Sequence, residues 1–121
     1  MLVPEKLNHI FEPTPLQCGQ AVLAMLCNVS VDEIIDRVKT EKETTLSQMI
    51  DCLKEYGIEM SRQRNAAKDL SDLPSICVLS LETPKCWHWS LYCNGWFYDP
   101  EYGLINDWPP SNRRYYFCIN I

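Results

Sequence analysis

The stretch HWSLYCNGWFYDP, residues 88–100, carries the clearest structural signal in this 121-residue chain. Asn94 and Gly95 near its centre favour a tight type I′ turn, because both central positions of that turn need a positive φ. The residues on either side are rich in aromatic side chains, which favour β-strands. We therefore predict an antiparallel hairpin with Asn94 and Gly95 at its tip.

The turn also sets the register of the two strands. The predicted facing pairs are Cys93–Trp96, Tyr92–Phe97, Leu91–Tyr98 and Ser90–Asp99. His88 lies two residues beyond Ser90, so its side chain shares a face with that of Asp99. Diagonal neighbours of this kind are about 7 to 8 Å apart at the backbone, a gap that a ring and a carboxylate can close with one hydrogen bond. Pro100 has no N–H to continue the ladder, so Asp99 rather than Glu101 is the predicted partner of His88.

Helices precede the strands along the chain. The segment CGQAVLAMLC, residues 18–27, is apolar nearly all round and predicts a buried helix. Capping-box spacing at Ser30 and Thr45 predicts amphipathic helices over 31–41 and 46–56, the second ended by Gly57. A helical turn is predicted at 66–73, and strands at 58–61, 75–82, 87–93, 96–99 and 113–121.

This order of elements predicts an α+β fold. The helical N-terminal half is expected to pack on a C-terminal antiparallel sheet, with Val22, Leu23, Met25 and Leu26 of the first helix against its inner face. A functional cleft is expected where the two halves meet. Residues 1–121 are too few for two cores, so we predict a single domain.

The amino-acid composition limits the classes of molecule that this protein is expected to bind. Hydrophobic residues make up 46% of the chain and charged residues 22%, which excludes an intrinsically disordered protein. The formal net charge of -5 provides no basic surface for a phosphate backbone or an anionic membrane, so neither nucleic acid nor membrane is an expected partner. No run of residues is long and apolar enough for a membrane span or a signal peptide.

The seven cysteines include no C-x-x-C pair, and the chain has only two histidines. We therefore predict no metal and no cofactor. Most of the cysteines fall in apolar runs, where reduced thiols behave as small hydrophobic groups, so we expect a reducing compartment. The cytoplasm is the expected location, and delivery to another cell by a route without a signal peptide stays open.

Three residues form a candidate catalytic set. Cys18 lies where a proline-bearing loop becomes a helix, and a helix N-terminus favours a thiolate and offers N–H donors to an oxyanion. His88 can take the thiol proton and return it to a leaving group, and Asp99 can orient the ring. Each residue also has a structural interpretation: Cys18 as a packed thiol, His88 as a half-buried strand residue and Asp99 as a turn former. Their order on a helix start and two adjacent strands favours catalysis.

Four segments carry a resemblance to a known family. They are LQCGQAVLAML (16–26), TTLSQMIDCLKEYGIE (44–59), LPSICVLSL (73–81) and HWSLYCNGWFYDP (88–100). Together they resemble the peptidase domain of the bacteriocin-processing, double-glycine-leader cysteine peptidases of the papain-like superfamily. The resemblance implies a papain-like fold, with Cys18 as nucleophile, His88 as base and Asp99 as orienting acid.

One position departs from that family. Its members carry a glutamine six residues before the cysteine, whose amide stabilises the oxyanion, whereas this chain has Glu12. A carboxylate is a poor hydrogen-bond donor. Gln17, helped by the main-chain N–H of Cys18, is the candidate replacement, and its alternative interpretation is an exposed loop residue. Losing one oxyanion donor typically costs about 10²- to 10³-fold in rate.

The sequence predicts a thiol hydrolase that cleaves a peptide or protein amide bond through an acyl-enzyme on Cys18. Two alternatives keep the same three residues and change the substrate: a protein glutamine deamidase or transamidase, and a cell-wall peptide amidase. A third is a catalytically inactive module that binds a peptide in the same cleft. The reactivity of Cys18 separates this last alternative from the enzymes.

Overall fold

The computed structural model describes residues 7–120 and begins with three helices. These are α1 (Cys18–Cys27), α2 (Val31–Val38) and α3 (Leu46–Glu55). Seven strands follow: β1 (Glu59–Met60), β2 (Asn65–Ala66), β3 (Ile76–Glu82), β4 (Trp87–Cys93), β5 (Trp96–Asp99), β6 (Gly103–Ile105) and β7 (Arg114–Asn120). They form one antiparallel sheet in the order β1-β7-β3-β4-β5-β6, with β2 also paired to β7. The predicted α+β class is confirmed.

Local capping signals account for the starts of α2 and α3. The Ser30 hydroxyl accepts the Glu33 N–H at 3.1 Å. Thr45 and Gln48 form a complete capping box, with bonds of 3.1 and 2.9 Å. Gly57, at a φ of 77°, follows α3 as predicted.

Helix α2 ends three residues before the predicted boundary at residue 41. Lys39 adopts a left-handed conformation with a φ of 60° and turns the chain away from the helix axis. The loop that follows is held by the buried Gln20 side chain, which donates to the carbonyls of Thr40 and Lys42. These long-range bonds outweigh the local helix propensity of the segment.

The predicted hairpin is present, with φ of 45° at Asn94 and 92° at Gly95. Tyr92 pairs with Phe97, and Cys93 with Trp96, in the predicted register. The pairing of β4 with β5 consists of these two pairs. The other two predicted pairs nearer the open end, Leu91–Tyr98 and Ser90–Asp99, are not part of it. There, the side chains of Ser90 and Asp99 are joined directly by a hydrogen bond of 2.7 Å.

The pattern around residues 65–73 and 103–105 differs from the prediction. The helical turn is one 3₁₀ turn at Leu70–Asp72, and Asn65 and Ala66 instead pair with Tyr116 and Tyr115 of β7. Strand β6 was not predicted. Two- and three-residue strands carry too little alternation for a period to be detected. The predicted last strand reaches residue 120, and its final position lies outside the described residues.

Helix α1 is the centre of the core. Its residues from Cys18 to Leu26 are all buried. The four predicted side chains belong to one cluster with Val78, Leu91 and Phe117 of the sheet, so their packing is as predicted. Burying each such side chain contributes roughly 1.5 to 3 kcal/mol. This packing holds the start of α1 against strand β4.

Within residues 7–120, no single helix has the length and apolar composition to cross a membrane. Helices α1 and α2 meet that criterion only when joined, across a bend of 109°.

Candidate active site

Cys18 lies at the first position of α1, with 7% of its surface exposed. The prolines Pro13 and Pro15 keep the preceding segment out of a helix, so α1 begins where the loop meets the sheet. The main-chain N–H of Trp89 donates to Cys18 Sγ at 3.4 Å. The thiol is therefore held between the start of a helix and the middle sheet strand β4.

His88 precedes Trp89 on β4, and its side chain is 2% exposed. Its Nε2 lies 3.0 Å from Oδ1 of Asp99. Because Asp99 occupies Nε2, Nδ1 is the ring nitrogen left for Cys18, and ligand atoms of Cys18 and His88 lie within 4.8 Å of each other. The structure thus brings together the three residues predicted from the sequence, in the order thiol, imidazole and carboxylate.

Asp99 is fully buried and its carboxylate accepts several hydrogen bonds. Oδ1 accepts the N–H groups of Glu101 at 2.8 Å and Tyr102 at 2.9 Å, and Oδ2 accepts the Ser90 hydroxyl at 2.7 Å. Asp99 therefore acts as a turn former, as its alternative interpretation predicted, and also binds the His88 ring. Ser90, which the sequence analysis did not single out, belongs to the same network.

These contacts shift the pKa values of both partners. Burial raises the pKa of Asp99, but the hydrogen bond to His88 and the other donors outweigh it and bring the pKa below its usual range. Burial lowers the pKa of His88, whereas the hydrogen bonds with Asp99 and Cys18 act in the opposite direction and raise it to about 10. The contacts therefore favour a protonated His88 ring beside an ionised Asp99 carboxylate.

Glu12 reaches the same site from the N-terminal segment. The Glu12 N–H donates to the Pro100 carbonyl at 2.8 Å, and His9 Nε2 lies 2.6 Å from the Asp99 carbonyl oxygen. Glu12 Oε1 lies 3.9 Å from His88 Nδ1, with 9% of the side chain exposed. No group in residues 7–120 makes a hydrogen bond to this oxygen. Burial raises the pKa of Glu12, partly offset by His88.

Gln17 is buried rather than an exposed loop residue. Its side-chain nitrogen donates to the Glu41 carbonyl at 3.1 Å, in the loop between α2 and α3. This bond argues against the oxyanion role predicted for Gln17. The Gln17 side chain makes no capping bond to α1, so it does not occupy the N–H groups of the first helical turn.

The loop between α2 and α3 lies over the start of α1. The Trp89 ring N–H donates to the Thr44 carbonyl at 3.0 Å. A Cβ on Gly19 would lie 1.9 Å from Thr44 Oγ1, so only glycine fits beneath this loop. Gln20 and Thr44 were missed by the sequence analysis, because nothing in local periodicity reveals which loop covers a helix.

A cleft of about 520 Å³ opens beside the thiol and the imidazole. Its lining residues are Pro15, Leu16, Cys18, Glu43, Thr44, Ser80, Lys85, Cys86, Trp87, His88 and Trp89. Leu16 and Trp87 are 46% and 44% exposed and give the cleft apolar walls near its mouth. Cys18 and His88 therefore both line the same surface cleft.

Among solved structures, the fold is similar to a double glycine motif protease from an AMS/PCAT transporter, determined in complex with the leader peptide. The TM-score is 0.64 at 17% sequence identity, and the match covers 93% of this chain and 91% of that chain. No family model matches the sequence, and no curated protein matches it. The structural likeness confirms the predicted papain-like α+β fold.

Proposed function

We propose that this protein is a thiol hydrolase that cleaves an amide bond of a peptide or protein, with Cys18 as nucleophile. The observation that carries the proposal is the grouping of Cys18, His88 and Asp99 beside an open cleft, with Cys18 and His88 ligand atoms within 4.8 Å and the ring bonded to Asp99. Nucleophile, base and orienting acid within hydrogen-bond reach are the signature of covalent amide hydrolysis.

In the first half of the reaction, His88 holds the proton of the Cys18 thiol, and the thiolate attacks the amide carbon. The oxyanion that forms lies near the start of α1, where main-chain N–H groups, including that of Cys18, act as donors. His88 then transfers its proton to the leaving amine, and the C–N bond breaks to leave a thioester on Cys18.

In the second half, His88 takes a proton from water as the water attacks the thioester. The carboxylic acid is released, and the Cys18 sulfur recovers its proton. Asp99 keeps Nε2 of the ring engaged at 3.0 Å, so Nδ1 stays directed at the sulfur during both transfers. The donors around Asp99 in turn fix its carboxylate.

An extended peptide is the proposed substrate. The cleft volume of about 520 Å³ lies within the range of about 300 to 1,000 Å³ typical of ligand pockets, and its lining combines apolar residues with Glu43 and Lys85. The similar solved protease was determined with a leader peptide, and this likeness of fold supports the same class of ligand. A reducing compartment such as the cytoplasm would keep the thiol active, and this location stays a prediction.

Alkylation of the folded protein by iodoacetamide, followed site by site by mass spectrometry, tests the nucleophile. Cys86 and Cys118 are exposed and serve as internal controls for ordinary thiols. We expect Cys18 at pH 7 to react at least about tenfold faster than either control, despite its burial, and to lose this advantage in His88→Ala. Equal or slower reaction of Cys18 in the wild-type protein would identify an inactive binding module.

Digestion of a peptide library, with Cys18→Ser as the blank, tests the reaction. We expect new chain ends that depend on Cys18. Conversion of glutamine to glutamate without chain cleavage would assign the deamidase alternative, and release of amines from cell-wall peptides alone would assign the amidase.

A further inference from the structure

Three potential metal ligands converge beside the cleft from distant parts of the chain. One ligand atom each from Glu12, Cys18 and His88 can be chosen so that all three lie within 4.8 Å of one another. They come from the N-terminal segment, the start of α1 and strand β4, so no sequence spacing reveals them. We propose that these three residues form a Zn²⁺ site that masks the Cys18 thiolate.

The unpartnered Glu12 oxygen is the first support for a bound cation. Glu12 Oε1 is shielded from solvent and receives no hydrogen bond from any described residue. A buried carboxylate without a donor is costly, and a metal bond removes that cost. The sulfur of Cys18 and the carboxylates of Glu12 and Asp99 also make the surroundings favourable for a divalent cation.

The second support is the way Asp99 holds the His88 ring. A ligating histidine usually gives its other ring N–H to a carboxylate, which fixes the tautomer and the ring orientation. Here Nε2 is bound to Asp99 at 3.0 Å, and Nδ1 faces Glu12 at 3.9 Å. Once Nδ1 has lost its proton, the arrangement proposed for a general base therefore also presents a nitrogen lone pair to a metal.

The donor set favours zinc. A mixture of thiolate sulfur, imidazole nitrogen and carboxylate oxygen suits Zn²⁺, which binds them tetrahedrally at about 2.0 to 2.3 Å. Such bonds place ligand atoms about 3.3 to 3.7 Å apart. This spacing is closer than the present limit of 4.8 Å, so the Glu12 and Cys18 side chains would move together on binding. The fourth position opens to the cleft and takes water.

Binding requires the thiolate of Cys18, the carboxylate of Glu12 and the neutral ring of His88, so it releases any protons they carry to solvent. The sulfur lone pair that would attack an amide is then donated to the metal. Micromolar zinc would therefore inhibit the hydrolase reversibly, and a chelator would restore activity. This inhibitory consequence rests on the proposed function, whereas metal binding does not.

The test uses the full chain, freed of metal with a chelator, and titration with Co²⁺ as a spectroscopic substitute that Zn²⁺ then displaces. We expect one equivalent to bind with a thiolate-to-cobalt charge-transfer band that is lost in Cys18→Ser. The apparent dissociation constant should rise at least about tenfold in Glu12→Gln and in His88→Ala. Glu101→Gln removes a nearby carboxylate that contacts Lys85 instead, and should bind like the wild type.

The absence of a thiolate band in the wild-type protein would overturn the site. A band that survives in Cys18→Ser would also overturn the site, because other thiols would then bind the metal. Equal cobalt affinity in Glu12→Gln, His88→Ala and the wild type would overturn it for the same reason. Cobalt binding is read without substrate. A protein that binds zinc as expected but hydrolyses nothing would support the site and contradict only the proposed function.

Discussion

The main-chain N–H of Trp89 donates a hydrogen bond to Sγ of Cys18 at 3.4 Å. This bond joins the start of α1 to the residue that follows His88 on β4. A main-chain donor of this kind would stabilise the thiolate that the proposed reaction needs. The packing of one helix on one strand therefore brings the Cys18 and His88 side chains together.

Asp99→Asn should reduce the rate of peptide hydrolysis strongly with little loss of fold. The amide cannot support the protonated ring as the carboxylate does, so we expect kcat to fall about 10²- to 10⁴-fold. Circular dichroism and NMR titration of His88 provide the check. The pKa of His88 should fall from its raised value in the variant, and an unchanged rate would contradict the orienting role of Asp99.

Glu12→Gln should increase the rate of hydrolysis. It replaces a carboxylate beside Cys18 and His88 with an amide of the same shape that can donate to an oxyanion. We expect kcat/KM to rise by about 10- to 100-fold, which is less than the roughly 10²- to 10³-fold in rate that one oxyanion donor typically contributes. Glu12→Leu is the matched control without a donor, and an equal gain in that variant would point to the removal of charge instead.

The stability of the protein should fall with pH through the range in which His88 loses its proton. Because the folded-state pKa of His88 is raised from 6.5 to about 10, its contribution is fully present below pH 6.5 and is lost as the pH rises to 10. Urea unfolding in a chelating buffer at pH 6, 8 and 10 should show this decline in the wild type. His88→Gln, which lacks the titrating group, should show a smaller decline over the same range.

Gly19→Ala should destabilise the fold. The added methyl group would overlap Thr44 Oγ1, whose position is fixed by hydrogen bonds of the loop to Gln20 and Trp89. We expect a loss of about 1 to 3 kcal/mol in the free energy of unfolding. Combining it with Thr44→Ala removes the overlapping hydroxyl, so part of the loss should be recovered. A double variant as unstable as the sum of both changes would exclude this contact as the cause.

Features that depend on neighbours along the chain could be predicted from the amino-acid sequence alone. The starts of α2 and α3 followed from Ser30 and Thr45, whose side chains bond to N–H groups three residues away. The turn at Asn94 and Gly95 determines which side chains of β4 and β5 share a face of the sheet, because side chains alternate along a strand. That alternation was enough to bring His88 and Asp99 to the same face before any tertiary contact was considered.

The way in which distant segments meet at the site depends on tertiary packing and could not be predicted from the sequence. The main-chain bond of Glu12 to Pro100 holds it near the His88 ring, and the Gln17 amide donates to the Glu41 carbonyl in the loop between α2 and α3. Such contacts depend on where whole elements pack, and no periodicity within one element records them. The early end of α2 has the same cause, because the loop after it is held by hydrogen bonds from Gln20, which belongs to α1.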